Sequence, residues 1–434
     1  MRIYSWDVVY ACSGAYINSE LAESKDEYIK SFSYEDSAIK VEGEFAAWKL
    51  VPGGSEGILQ FETPITSGTV VVKEHDVNLS LDGVIPLIQM QLEFIDSKSH
   101  KGSKDLVFNC KVLGKGIHDD TPGAVSVINP DTSGILQKEK DGEIAAALLV
   151  TGLAKCLIAN EKQLSFMFAQ LLPVPTKQAS WLTPVEQRYV YQQPTDGSLG
   201  GIAILGLLDE REIGHLPKNY DSHLLSHGDD FGFILSAEMF MKNIILPSLP
   251  NAYGGNATAS CFRVDSNKIV TTRRFDLDRV KVGLIHYTPE VKSASFEITD
   301  TSMRCYTDTK TDITGLTDAN VTNTVTSNNQ SRFDVKKRTL RFLKDPHESS
   351  TKDEHIPWWE KILGGLTLGI MNAVIAAISL AIQDAVGSLV NSKTAETLGN
   401  VAPGLVSWHG QKNMTVTVGG LEDNVYMAGK LNTK

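Results

Sequence analysis

The chain has little sulfur. Its five cysteines, Cys12, Cys110, Cys156, Cys261 and Cys305, are odd in number, far apart and without a C-x-x-C pair. That pattern excludes a disulfide framework and a zinc knuckle and leaves buried thiols. Basic charge is also short. Lysine and arginine total 41 against 52 aspartates and glutamates, and the net charge of -11 opposes nonspecific attraction to nucleic acid, so no nucleic acid is expected as a partner. The N-terminus, MRIYSWDVVYACSG, lacks an apolar secretory core because Ser5 and Asp7 interrupt it. Without a signal peptide the expectation is a cytoplasmic protein in its producing cell, any extracellular release using another route. No P-loop, no G-x-G-x-x-G after a strand and no paired catalytic carboxylates occur, so the expectation is no catalytic residue, no cofactor and no metal.

Three partial motifs fall short of chemistry. Gly53-Gly54-Ser55-Glu56-Gly57 has the spacing of a nucleophile elbow, which needs a strand before the serine and a helix after it. Here Ile58 to Glu62 continues as a strand, so a glycine-rich hairpin turn is the better reading and a hydrolase the remote one. His223 and His227, followed by Asp229 and Asp230, have an i, i+4 spacing that zinc sites use, but the HExxH glutamate is absent and Gly228 breaks the helix, which favours a solvated loop. Asp308, Asp312 and Asp318 lack the alternating ligands and closing glutamate of a calcium loop.

What the chain has instead is one long apolar stretch, PWWEKILGGLTLGIMNAVIAAISLAIQDAVGSLV, from Pro357 to Val390, with no charge between Ile362 and Gln383. As a helix that uncharged part would reach ~33 Å, enough to cross a ~30 Å hydrocarbon layer. Three glycines, Thr367, Asn372 and Ser379 dilute it, and the row Ile362, Leu366, Ile370, Val374, Ile378, Ile382, Val386, Val390 drifts roughly 40° per step. An apolar face that spirals in this way predicts a helix buried nearly all round, wrapped by a curved sheet. A core helix that also meets a membrane, and a constitutive span, remain open beside that reading.

In chain order, Ser5 is a plausible N-cap for a helix carrying Trp6, Val9, Cys12 and Tyr16. Strand signals follow, clearest where Ile88, Met90, Leu92 and Phe94 alternate with Gln89, Gln91 and Glu93. Gly142 to Asn160 reads as a helix. RYVYQQ and GIAILGLL form a hairpin around Pro194-Thr195-Asp196-Gly197, and Phe231 to Pro250 reads as a helix N-capped at Ser236 and ended or kinked at Pro247. Further strands, the long helix and final strands complete two halves with the same order. The predicted division is 1–175, a central hairpin connector at 176–230, and 231–434.

Three phrases, YSWDVVYACS, FGFILSAEMFMKNIILPSLP and WWEKILGG, together with EFAAWKLVPGGSEGILQFETPI and SWHGQKNMTVTVGGLEDNVYM, resemble the clostridial forty-seven-kilodalton (P-forty-seven) family encoded beside OrfX proteins in neurotoxin gene clusters, with relatives in insecticidal clusters. The resemblance spans nearly the whole chain. It implies an α+β fold of the tubular lipid-binding (TULIP) superfamily: two domains like those of bactericidal/permeability-increasing protein, each a curved antiparallel sheet wrapped on long helices, joined by a central sheet. The function it implies is non-enzymatic.

Two roles follow as expectations. The first is lipid or anionic-membrane contact, carried by Trp358, Trp359, Leu366 and Ile370 with the basic run Lys336, Lys337 and Arg338, although that run equally suits the solvated face of an amphipathic strand. The second is an accessory or chaperone-like role, binding OrfX-like or toxin proteins of the same cluster with no lipid held.

Overall fold

A computed structural model of the chain describes residues 1–433 except 27, 76, 165, 176, 227, 316–317, 356–363 and 388–396. Its centre is a six-stranded antiparallel sheet in the order Glu186–Gln192, Gly201–Leu207, Val8–Ser13, Phe231–Leu235, Asn424–Asn432, Asn413–Glu422. The strands at its middle are apolar without alternation because both of their faces are covered. Every residue of Gly201–Leu207 and Phe231–Leu235 is buried. The helices expected from Ser5 and from Phe231 are therefore corrected: both segments begin as strands, since a run buried on two sides loses the period that separates strand from helix. Ser5 itself has a left-handed φ of 67°.

Helices start where these two strands end. Ser13 Oγ accepts from the amide of Tyr16 and caps Gly14–Glu23, and Ser236 Oγ accepts from Met239 N and caps Ala237–Phe240. The second helix continues through a wider turn to Pro247 and ends at Tyr253, so Ser236 and Pro247 act as the sequence suggests. The two arms are equivalent. Ser13 N donates to Asp230 O and Ser236 N to Asp7 O, both at 2.9 Å, so Asp7-x5-Ser13 and Asp230-x5-Ser236 embrace one another antiparallel.

A curled half-barrel sheet lies in each half of this mixed α/β, sheet-dominated chain. The N-terminal one has eight strands between Lys49 and Trp408, ending at one edge in the pairing of Met167–Leu171 with Val406–Trp408. A four-stranded sheet from Ser31 to Ser80 lies beside it, and helix Gly142–Ala159 packs on both through Leu149 and Leu153. That helix is apolar enough to cross a membrane by length and composition, but here its residues serve the core. The C-terminal sheet, from Phe262 to His355, is built on Glu290–Thr299, Ser302–Asp312 and Asn320–Asp334.

Helix Gly364–Gly387 lies on strand Asn320–Asp334. Ile370, Val374, Ile378 and Ile382 are buried, with Met371 and Ala381 beside them. Leu368 and Leu380 are 51% and 58% exposed, and Asn372, Ala376 and Asp384 also face water. Burial nearly all round is thus corrected for the described residues to one buried stripe. Small and weakly polar residues on the other side make that exposure cheap.

Candidate functional site

Only part of the expected site falls on described residues. Trp358 and Trp359 lie outside the described residues. Leu366 is in the first turn of the long helix, and Ile370 is fully buried core. Lys336, Lys337 and Arg338 form the turn between strands Asn320–Asp334 and Thr339–Phe342. There Lys337 N donates to Asp334 Oδ1 at 3.1 Å, holding that carboxyl below its usual range, and Arg338 donates to Met414 O at 2.9 Å. Along the helix, Gly369 meets Val282, Asn372 accepts from Lys352 at 2.6 Å, and Ser379 bonds Glu348. Strand Ser349–His355 runs antiparallel to Asn320–Thr326, so this order of contacts carries the helix toward the basic turn, which meets Gly399 beyond it. Leu366 and the basic turn therefore belong to opposite ends.

The partial motifs resolve as turns and ion pairs. Ser55 and Ile58 close a hairpin with Glu56 at φ 51°, and a strand follows, so the elbow is absent. His223 bonds Asp221 at 2.9 Å; His227 lies outside the described residues. Asp308 pairs with Lys292 and Asp312 with Lys310, each at 3.0 Å, and Asp318 sits in a turn at φ 64°. Among the described residues no group of three His, Cys, Asp or Glu is placed to hold a metal. All five cysteines are free and buried. Burial pushes Cys110 and Cys305 up to about 12, which keeps them protonated thiols. Burial works the same way on Cys261, but hydrogen bonds with Thr258 and Arg273 outweigh it and bring that thiol below its usual range.

Both interiors are occupied by side chains. In the N-terminal half Trp48, Phe61, Phe108, Phe166 and Phe168 make a continuous ring cluster, with centroids 5.7 Å apart for Trp48–Phe108, 5.4 Å for Phe61–Phe108, 4.9 Å for Phe108–Phe168 and 5.0 Å for Phe166–Phe168. The space left beside it, between Cys12, Tyr16, Phe166 and Trp408, is about 10 Å³. A cavity needs roughly 10–15 Å³ to take one water, so an acyl chain does not fit. In the C-terminal half the inward face is partly polar: Thr307, Thr309, Thr311, Asn323, Ser327 and Asn329 are buried alongside Met303, Cys305, Val321 and Val325. Tyr253 Oη meets Thr307 Oγ1 at 2.7 Å, and Thr309 Oγ1 donates to Asn323 O at 3.2 Å.

A crevice of about 480 Å³ with a buried carboxylate in its wall lies where the halves meet. It is lined by the start of helix Gly14–Glu23, by the turn after Gln192, by Tyr220, and by Gly228, Asp229 and Asp230. Asp229 is 5% exposed; its Oδ1 accepts from Thr417 at 2.9 Å, and its Oδ2 has no partner among the described residues. Asp230 is engaged by Lys430 and by Leu431 N. Such a wall offers hydrogen bonds and negative charge beside apolar side chains such as Leu199 and Leu225.

Sequence reasoning missed the buried Thr/Asn row and the burial of Asp229. The alternation Thr307, Thr309, Thr311 was available as a signal, but period-two polarity points outward by default.

The chain matches, over residues 3–429, the family described as OrfX-like: Protein OrfX2/OrfX3/P47. It is 29% identical over 305 residues to Protein P47 of Clostridium botulinum (strain Kyoto / Type A2), covering 69% of this chain and 70% of the relative. It is 21% identical over 340 residues to Protein OrfX3 of Paraclostridium bifermentans, covering 71% and 68%. Its fold superposes on the structure of P47 from Clostridium botulinum A2 with a TM-score of 0.79 at 24% identity, over 99% of this chain and 98% of the other. The crystal structure of P47 of Clostridium botulinum E1 gives 0.78 at 23% identity, over 99% and 100%.

Proposed function

Since the chain belongs to the OrfX-like family of OrfX2, OrfX3 and P47 proteins, we propose that it is a non-enzymatic accessory protein of a toxin gene cluster that works by docking other proteins of that cluster on its outer surface. The observation that carries this is the filling of both interiors. Rings occupy one, leaving about 10 Å³ beside them, and hydroxyl and amide side chains line part of the other, which favours contact at the exterior over an acyl chain held inside. The buried thiols of Cys110 and Cys305 are held protonated and Ser55 is a turn serine, so none of the three offers an activated nucleophile.

The test is capture of separately purified OrfX-like and toxin proteins from the same gene cluster on immobilised protein, with native mass spectrometry of the protein alone. Specific capture and a bare polypeptide mass support docking. A reproducible co-purified lipid, with no cluster protein captured, overturns it.

A second reading, contact of the exterior with a membrane, is favoured by Leu284, which is 94% exposed, and by the open side of the long helix at Leu368.

A further inference from the structure

One hairpin forms a sheet of its own. Among the described residues Val280–Val282 pairs with Ile285–Tyr287 and with no other strand. It is fixed at both ends: Tyr287 at its base is buried, and Val282, next to the turn, lies so close to the long helix that a Cβ on Gly369 would come within 2.9 Å of it. The tip is uncovered. Gly283 takes a φ of +61°, a first turn position that asks for glycine, but nothing in a two-residue turn asks for leucine next to it. Leu284 nevertheless stands there 94% exposed, with Ile285 at 39%, and Leu368 half exposed one residue from the Gly369 contact.

The charges around the tip are of the sign the molecule is short of. Lys281 and His286 stand directly opposite each other across the hairpin, on the face away from Val282, and Arg279 is exposed just below. Lys281 carries a charge there and the imidazole of His286 a hydrogen-bond donor, a pair that an anionic oxygen lying between them could meet. Lys281 and Arg279 make no ion pair among the described residues. The neighbouring acids are engaged at the base, where Asp278 accepts from Gly255 N and Asp276 from Asn256 Nδ2, both at 3.0 Å.

We propose that this hairpin is a membrane-contact element, Leu284 and Ile285 entering the interfacial layer of an anionic bilayer while Arg279, Lys281 and His286 meet lipid phosphates. The proposal rests on the second reading above and is independent of protein docking. A bilayer suits the tip better than a folded partner does. A stable protein interface needs ~800 Å² on each side, whereas a loop tip with flanking cations is enough for weak, salt-sensitive seating in headgroups.

Flotation of the full chain with vesicles of phosphatidylcholine alone, and of phosphatidylcholine with about 30% phosphatidylserine, tests it. The expected result is flotation with the anionic vesicles, weakened by salt, reduced about tenfold or more by Leu284→Asp and clearly reduced by Lys281→Glu. Both side chains are exposed, so both variants should keep the wild-type melting temperature, which is measured alongside. Wild type that stays unbound at low salt overturns the proposal, as does Leu284→Asp that floats like wild type. Loss of cluster-protein capture by Leu284→Asp with flotation unchanged also overturns it and gives the tip to the docking reading.

Discussion

Tyr10 faces Phe233 across the middle of the central sheet, their ring centroids 5.4 Å apart. Each is the third residue after an aspartate, Asp7 or Asp230, and the third before a capping serine, Ser13 or Ser236. The pair thus marks the point about which the two arms of the sheet repeat one another.

The two rings differ by a hydroxyl, and the Tyr10 hydroxyl is buried without a partner among the described residues, its pKa driven far above the usual phenol range by desolvation. Tyr10→Phe therefore removes an uncompensated polar group and should leave stability unchanged or raise it by ~1 kcal/mol. Tyr10→Ala instead opens a cavity and should cost ~3–5 kcal/mol. Urea denaturation of both variants checks this. A clear loss for Tyr10→Phe would mean that the hydroxyl bonds a structural water.

The capping serines give a second prediction. Ser13→Ala and Ser236→Ala should each cost ~1 kcal/mol by orphaning a first-turn amide. Ser13 lies beside Asp230 and Ser236 beside Asp7, so six residues of strand, ~20 Å, separate them. At that distance the double variant should lose the sum of the single losses to within ~0.5 kcal/mol. A strongly non-additive result in denaturant melts would show that the two arms respond as one unit.

Local chemistry was legible in the sequence wherever it was sufficient. The turn at Pro194 to Gly197, the hairpin at Ser55, the helix from Gly142 and the cap at Ser236 follow from turn residues, capping residues and periodicity. Val8–Ser13 and Phe231–Leu235 escaped because burial on both faces erases alternation, and with them went the Asp-x5-Ser repeat, two residues in seven that acquire meaning only once the strands are seen to pair. The exposed Leu284 was equally hidden, since VGLIHYT reads as an ordinary strand. Exposure of Leu284 and burial of Asp229 are tertiary properties that no local pattern encodes.

Asp131 supplies a pH dependence. Burial raises its pKa, but Ser133 Oγ and the amides of Leu136 at 2.7 Å, Ser133 at 3.0 Å and Gly134 at 3.1 Å all donate to its carboxylate and bring it below the usual range. A pKa lowered on folding means stability that is present above the unfolded value of ~3.9 and lost as pH falls through the folded one. Asp131→Asn should therefore be less stable than wild type by a constant amount from neutral pH down to about 5, the gap closing below about 4. Paired urea titrations across that range decide it. A gap independent of pH throughout would assign the loss to altered hydrogen-bond geometry and not to charge.

The long helix separates its two sides within two residues. Ile378 is fully buried against the strand Asn320–Asp334 layer, whereas Leu380 is 58% exposed. Ile378→Asp buries a charge with no partner and should cost several kcal/mol, leaving the protein aggregated or unfolded. Leu380→Asp adds a charge where water already reaches and should stay within ~0.5 kcal/mol of wild type. Thermal melts of the two variants at one pH and salt concentration make the comparison direct. Equal destabilisation by both would return the helix to the wrapped arrangement expected from its spiralling apolar row, and equal tolerance would remove it from the core.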